Sequence, residues 1–344
     1  MMIKTKLLSI EDLDKIEIQD QLKQAINQNK LVIFPTETVY GIGGNALNEC
    51  SAKAIYEAKG RPQDNPLIVH IHDEKEVAKY ALSISEKAKR LMTHFWPGPL
   101  TLIFQKKDIV PKQTTGGLET VAIRLPSNPI AQKLLNIVGC PLAAPSANLS
   151  GKPSSTMFKH VKEDFYGKVD FIIDGGKSTI GLESTVLDVT KEVFVLLRPG
   201  SITKKAIEDV LNEPIIDQSG ERNTEKVMSP GMKYTHYKPK GNVVLLSGKI
   251  ENIKNYLESL TSLNSKTALI CATDYQTMFS FMNVFPLGNL EEMNLIASNL
   301  FSSLREMDEK EMEQIFIIEL PKEDIGYAIM NRVLKAAGYQ TLKL

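Results

Sequence analysis

Cysteine is scarce in this 344-residue chain, and its three copies, Cys50, Cys140 and Cys271, stand far apart. They form neither a disulfide framework nor the paired spacing of a zinc knuckle, which predicts a reducing compartment. An excess of one charge is also missing: 41 Lys plus Arg balance 41 Asp plus Glu. Without net charge the chain has no general attraction for a polyanion, so any nucleic-acid contact is expected to be local or weak. A cut near residue 212 gives about +3 in front (27 minus 24) and about −3 behind (14 minus 17), a mild asymmetry. No run approaches eighteen uncharged apolar residues, which predicts no membrane span. The opening "MMIKTKLLSIEDLDKIEIQD" has no apolar signal-peptide core and turns acidic at once. A cytoplasmic protein is the expectation.

Standard nucleotide motifs are absent too. No G-x-x-x-x-G-K-[ST] occurs; "SANLSGKPSS" resembles its tail, but Ser146 stands where the first glycine is required. "GIGG" lacks the G-x-G-x-x-G spacing. No Ser–His–Asp pattern or paired-carboxylate spacing stands out, which points away from covalent catalysis and toward positioning and charge stabilisation.

What is present is a globular composition, 42% hydrophobic and 24% charged, long enough for two domains. Residues 10–30 read as a helix on Ile10, Leu13, Ile16, Leu22 and Ile26. Leu31 to Phe34 reads as a buried strand ending in a Gly-rich loop, followed by a helix over Ser51–Ala58. "PLIVHI", "LTLIFQ", "VAIRLP", "PLAAPSAN", "DFIIDGG" and "STVLDVT" read as strands; Glu74–Ala81, Ser85–Phe95 and "NPIAQKLLNIVG" read as helices. Several strands are too close together for helical crossovers, so the fold class expected over 1–211 is α/β with a mixed, twisted sheet. Periodicity stops between 212 and 241, a linker rich in Pro, Gly and charge. From 242 to 344 strands and helices alternate, as in a smaller parallel, Rossmann-like α/β domain.

The densest chemistry lies in "YEAKGRPQDNPLIVHI". Lys59 and Arg61 leave a helix end, where cations often do no more than complement the dipole. Asn65 before Pro66 is commonly a plain turn residue. His70 alternates with Val69 and Ile71 and faces away from them; with His72 alone it makes a poor metal site. Accumulation changes the balance. "PTETVYG" ends an early buried strand, where open α/β sheets bind ligands. "AAPSANLSGKPS" ends another with Ser146, Asn148, Ser150 and Ser154. Arg124 sits inside an apolar strand, where an unpaired guanidinium would be costly. Glu183, Ser184 and Thr185 open a strand, and Arg198 closes one. Hydroxyls, amides and guanidinium groups at strand ends describe a site for a polar, anionic ligand.

The segments "FPTETVYGIG", "KGRPQDNPLIVHI", "FWPGPLTLI", "VAIRLP", "PLAAPSANLSGKPS", "GLESTVLDV" and "LLRPGSI", in this order over about residues 8–210, resemble the YrdC-like family of threonylcarbamoyl-AMP synthases. The linker and α/β tail resemble the longer, two-domain form. The resemblance implies condensation of L-threonine, bicarbonate and ATP to threonylcarbamoyl-adenylate and pyrophosphate. A partner complex then transfers the group to tRNA. Its K-x-R…S-x-N signature falls on Lys59, Arg61, Ser146 and Asn148. Threonine-binding positions fall on Thr38, His70, Arg124, Ala144 and Ser184. ATP-binding positions fall on Arg61, Asn65, Thr120, Ser146, Ser154, Arg198 and Tyr237. Mg²⁺ is implied as the companion of ATP, with no protein metal site.

An RNA-binding module of the same fold is the alternative, and the zero net charge argues against it. A hydrogenase-maturation carbamoyltransferase would carry Cys-rich zinc fingers that three scattered cysteines exclude. The aromatic, proline-containing "SPGMKYTHYKP" suits a lid over the nucleotide better than a disordered spacer, with Tyr237 closing it.

Overall fold

The computed structural model describes residues 3–220, 236–261 and 263–344. These fall into two compact units. The first takes the chain to Ser150, then Ser154–Thr179 and the described residues from Glu183 to 220. The second takes Gly151–Pro153, Ile180–Leu182 and the described residues from 236 to Leu344.

In the first unit the elements are β1 (Lys6–Leu8), α1 (Ile16–Asn27), β2 (Val32–Phe34), β3 (Gly41–Asn45), α2 (Glu49–Lys59), β4 (Ile68–His70), α3 (Val77–Tyr80), α4 (Glu86–Phe95) and β5 (Leu100–Gln105). They continue with β6 (Thr120–Arg124), α5 (Pro129–Val138), β7 (Leu142–Ala143), α6 (Phe158–Phe165), β8 (Phe171–Ile173), β9 (Thr185–Asp188), β10 (Val195–Arg198), α7 (Lys204–Leu211) and β11 (Ile216–Asp217). The strands form one sheet in the order β1-β8-β2-β3-β7-β4-β6-β5-β9-β10-β11. It mixes parallel pairs such as β4–β6 and β5–β9 with antiparallel pairs such as β5–β6 and β2–β3. This is the mixed α/β sheet expected from the sequence.

Alternation along the strands sorts the two faces. Val69, Val121, Ile123, Leu102, Phe104, Leu187 and Leu196 enter a large core with Ile55, Tyr56, Leu91 and Phe165. Their strand neighbours Ile68, Ala122, Ile103, Val186, Val195 and Leu197 form a smaller apolar cluster. Each fully buried aliphatic side chain contributes roughly 1.5–3 kcal/mol, so both faces hold the strands in register. His70 and Arg124, two residues beyond Ile68 and Ala122, share the second face at its polar end.

Local differences from the sequence reading have identifiable causes. The helix read over 10–30 breaks at Lys15, which is extended; a 3-10 turn, Glu11–Asp14, precedes it, with Ser9 N–H donating to Asp12 Oδ2 at 2.8 Å. "GIGGN", read as loop, is β3, antiparallel to β2. Its glycines make room for Phe34: a Cβ on Gly43 would lie 2.8 Å from that ring. β1, α6, α7 and β11 carried too short or too weak a pattern to be read, and β11 adds a parallel partner to β10 within the stretch read as linker.

The second unit contains β12 (Asn242–Ser247), α8 (Ile250–Ser259), β13 (Thr267–Cys271), β14 (Asn283–Pro286), α9 (Met293–Glu309), β15 (Gln314–Ile318), α10 (Ile325–Ala336) and β16 (Thr341–Lys343). Its sheet, β14-β13-β15-β12-β16, is parallel at every pair. That matches the expected parallel α/β domain; only β16 was not read.

Candidate functional site

β4 and β6 run side by side and in parallel, with His70 paired to Arg124 at their C-terminal ends. Thr38 is delivered by the turn between β2 and β3, where Thr36 Oγ1 lies 2.8 Å from Thr38 Oγ1 and donates to Val39 O at 2.6 Å. Arg124 is 3% exposed, and its guanidinium is spread over three partners. Nη1 donates to Thr38 Oγ1 at 2.8 Å and Nε to Gly98 O at 3.2 Å, while Nη2 lies 2.6 Å from Glu37 Oε1. Burial pushes the Glu37 carboxyl up, but the Arg124 charge and the hydrogen bonds outweigh it and hold the group below its ordinary range.

His70 is buried beside this guanidinium. Burial first, and the Arg124 charge second, push its imidazole down to about 3, so it is neutral at pH 7. Its Nδ1 is 3.2 Å from Ile68 O. A carbonyl only accepts, so Nδ1 carries the proton and Nε2 is left as an acceptor. Ala144 is joined to the same strand through Ala144 N–H to Ile68 O at 2.9 Å. Ser184 Oγ lies 2.8 Å from Thr101 Oγ1 and accepts from Arg198 Nη2 at 3.1 Å, while Arg198 Nε donates to Ser184 O. Threonine-like chemistry needs such a set: a cation for a carboxylate, and neutral donors and acceptors for an amine and a hydroxyl.

A second group is built around Lys59. Asn48 caps the start of α2, and Gly60, at φ +60°, ends it, so Lys59 is the last helical residue and Arg61 leaves in a new direction. Lys59 does not serve its own helix end. It is buried, and its Nζ donates to Ser146 O and Asn148 O, tying α2 to the loop after β7. Within that loop Ser146 Oγ donates to Asn148 Oδ1 at 2.6 Å. Arg61 curls over the following turn, Nε to Asn65 O at 3.3 Å and Nη2 to Pro66 O at 3.2 Å. Asn65 is buried, and its Oδ1 has no partner among the described residues.

The structure therefore brings Thr38, His70, Arg124 and Ala144 together, joins Ser184 to Arg198, and joins Lys59 to Ser146 and Asn148. Thr120 opens β6 while Arg124 closes it, about 13 Å away at strand rise. Ser154 is fully buried and donates to Glu183 Oε1 at 2.5 Å. Tyr237 belongs to the second unit, where its ring lies 5.0 Å from that of Phe301. Most of the segment read as a lid lies outside the described residues. Sequence reasoning passed over Thr36, Glu37 and Thr101. The signal for Glu37 was available: a buried guanidinium demands a counter-charge, and "PTETVYG" holds an acid one residue from Thr38.

Two family models cover the chain. The Sua5–YciO–YrdC model, described as "Telomere recombination", matches residues 24–200. That of "Threonylcarbamoyl-AMP synthase, C-terminal domain" matches residues 202–338. The chain is 45% identical over 324 residues to the threonylcarbamoyl-AMP synthase of Pyrococcus abyssi, covering 93% of this chain and 94% of that one. It is 43% identical over 346 residues to the Bacillus subtilis enzyme of the same name, covering 99% and 100%. The crystal structure of P. abyssi Sua5 complexed with L-threonine superposes with a TM-score of 0.90 at 41% identity, covering 99% of this chain and 100% of that one. No helix among the described residues is long and apolar enough to cross a membrane. With both models matched in order and full-length relatives on either side, the chain belongs to the threonylcarbamoyl-AMP synthase family, in its two-domain form.

Proposed function

We propose that this enzyme condenses L-threonine, bicarbonate and ATP into threonylcarbamoyl-adenylate, with release of pyrophosphate and water. This is the first step of tRNA threonylcarbamoyladenosine formation, carried out in the cytoplasm ahead of a separate transfer complex. The observation that carries the reading is the buried group at the ends of β4 and β6: Arg124 fixed on Thr38 beside a neutral His70. Arg124 binds the threonine carboxylate. Thr38, His70 Nε2, Ser184 and the backbone at Ala144 receive the amine and the hydroxyl.

The amine then attacks the one-carbon unit to give a carbamate, and a carbamate oxygen attacks the α-phosphorus as pyrophosphate leaves. Nucleophile and electrophile are both anionic, so catalysis rests on neutralisation and alignment. Lys59 holds the Ser146–Asn148 loop by its backbone carbonyls and adds a positive charge there. Arg61 supplies the second cation, and charge-assisted contacts of this type contribute roughly 1.5–3 kcal/mol each. Asn65, Thr120, Ser154 and Arg198 complete the proposed nucleotide contacts, and Tyr237 is proposed as a further one. Mg²⁺ enters with ATP. It keeps waters and phosphate oxygens as ligands, and among the described residues no group of three His, Cys, Asp or Glu could hold a metal.

The test is pyrophosphate release with ATP and bicarbonate against a panel of amino acids. Release that depends on L-threonine supports the reading; release indifferent to the amino acid refutes it.

A further inference from the structure

Glu37, paired with Arg124 at the proposed carboxylate site, brings a buried negative charge whose use the proposed chemistry leaves unassigned. Its side chain is 8% exposed. Oε1 is fully used, accepting from Ser127 N–H at 3.1 Å and lying 2.6 Å from Arg124 Nη2. Oε2 is buried with no hydrogen-bond partner among the described residues. A buried carboxylate oxygen without a donor is costly, and native structures retain such a group where it has a use. Structural ion pairing explains Oε1. It does not explain an ionised group whose second oxygen is buried without a hydrogen-bond partner among the described residues.

Charge bookkeeping supplies the use. Arg124 brings one positive charge, Glu37 one negative charge, and His70 none. Without Glu37 the pocket would carry a full positive charge and would suit any carboxylate. With it, the pocket is neutral but strongly dipolar, and the complementary ligand is a zwitterion: a carboxylate for Arg124 and an ammonium near the carboxylate of Glu37. A ligand with a carboxylate and no ammonium would set two anions on one guanidinium in a buried site, an uncompensated charge that is expensive there. We propose that Glu37 is the specificity-determining residue that restricts this pocket to amino acids and rejects the corresponding hydroxy acids. This rests on the reading of the pocket as the threonine site. It has a biological sense in that an acid lacking the amine could occupy the site but never form a carbamate.

The experiment is titration calorimetry on the full chain, without ATP or bicarbonate, using L-threonine and (R)-3-hydroxybutyrate, which is threonine without its amine. Wild type is expected to bind the hydroxy acid on the order of 100-fold more weakly than threonine. Glu37→Gln keeps shape and hydrogen-bonding capacity but removes the charge. It should weaken threonine and strengthen the hydroxy acid, narrowing the ratio by about tenfold or more. A wild-type protein that binds both ligands equally overturns the proposal without any variant being needed. A Glu37→Gln protein that weakens both ligands in parallel overturns it as well, because that is the signature of a residue that only positions Arg124. Absence of threonine binding to wild type overturns the threonine site itself together with this role, whereas threonine binding with an unchanged ratio overturns only the role of Glu37.

Discussion

Protonation of His70 is the most sharply defined perturbation of this pocket. Its imidazole is pushed from 6.5 down to about 3 by burial and by the Arg124 charge. On acidification the unfolded chain therefore takes up a proton at this position while the folded chain does not. Stability is lost as pH falls below 6.5 and continues to be lost until about 3. At pH 5 the unfolded side chain is 1.5 units below its midpoint, worth about 2 kcal/mol at 1.36 kcal/mol per unit. The assay is urea unfolding at pH 7.5 and pH 5 for wild type and His70→Gln. It is followed by Trp96, the sole tryptophan of the sequence, which is buried in the first unit. Carboxylates and the other histidines contribute a loss common to both proteins. The variant should lose about 2 kcal/mol less than wild type between the two pH values. Equal losses would refute the reasoning, as would an imidazole resonance of His70 titrating near 6.5 in the folded protein.

The same geometry bears on the two cations and on the choice of amino acid. Lys59→Ala should lower pyrophosphate release by about 100-fold and also lower the melting temperature of the first unit by several degrees, because two charged hydrogen bonds to buried carbonyls disappear. Arg61→Ala, whose side chain is half-exposed, should lower turnover by about 100-fold with a melting temperature close to wild type; a silent Arg61→Ala would remove it from the chemistry. L-valine should be rejected against L-threonine by roughly 10⁴-fold, because Thr38, His70 and Ser184 would lose a hydroxyl partner in a buried site. L-serine should lose far less, and equal rates with valine would contradict the pocket. Arg124→Ala should act mainly through threonine affinity.

How far the sequence revealed this arrangement depended on the kind of signal. Strands such as Leu100–Gln105 and Thr120–Arg124 were legible because apolar runs ended at clear turns. β3 was not, because its glycines read as a loop until Phe34 is seen packed over them. Among site residues, Arg124 announced itself as a guanidinium in an apolar strand. Lys59 was ambiguous: only the third dimension shows it reaching the backbone of residues 146 and 148, in the loop after β7, rather than capping its own helix. Glu37 was legible only as the counter-charge that Arg124 required, and nothing in the spacing of the two, 87 residues apart (124 minus 37), said which acid it would be. Thr101 was invisible in "LTLIFQ", since its use depends on β9 bringing Ser184 within 2.8 Å.

The proposed function has one site join carbon from bicarbonate to threonine and then to AMP. Its most direct measurement is incorporation of labelled bicarbonate carbon into an adenylate, separated from ATP and identified by mass, with threonine and ATP each omitted in turn. Label is expected in an adenylate carrying threonine only when all three substrates are present, and is expected to be lost in Arg124→Ala at subsaturating threonine. Formation of a threonyl-adenylate containing no label, with pyrophosphate released in the absence of bicarbonate, would contradict it.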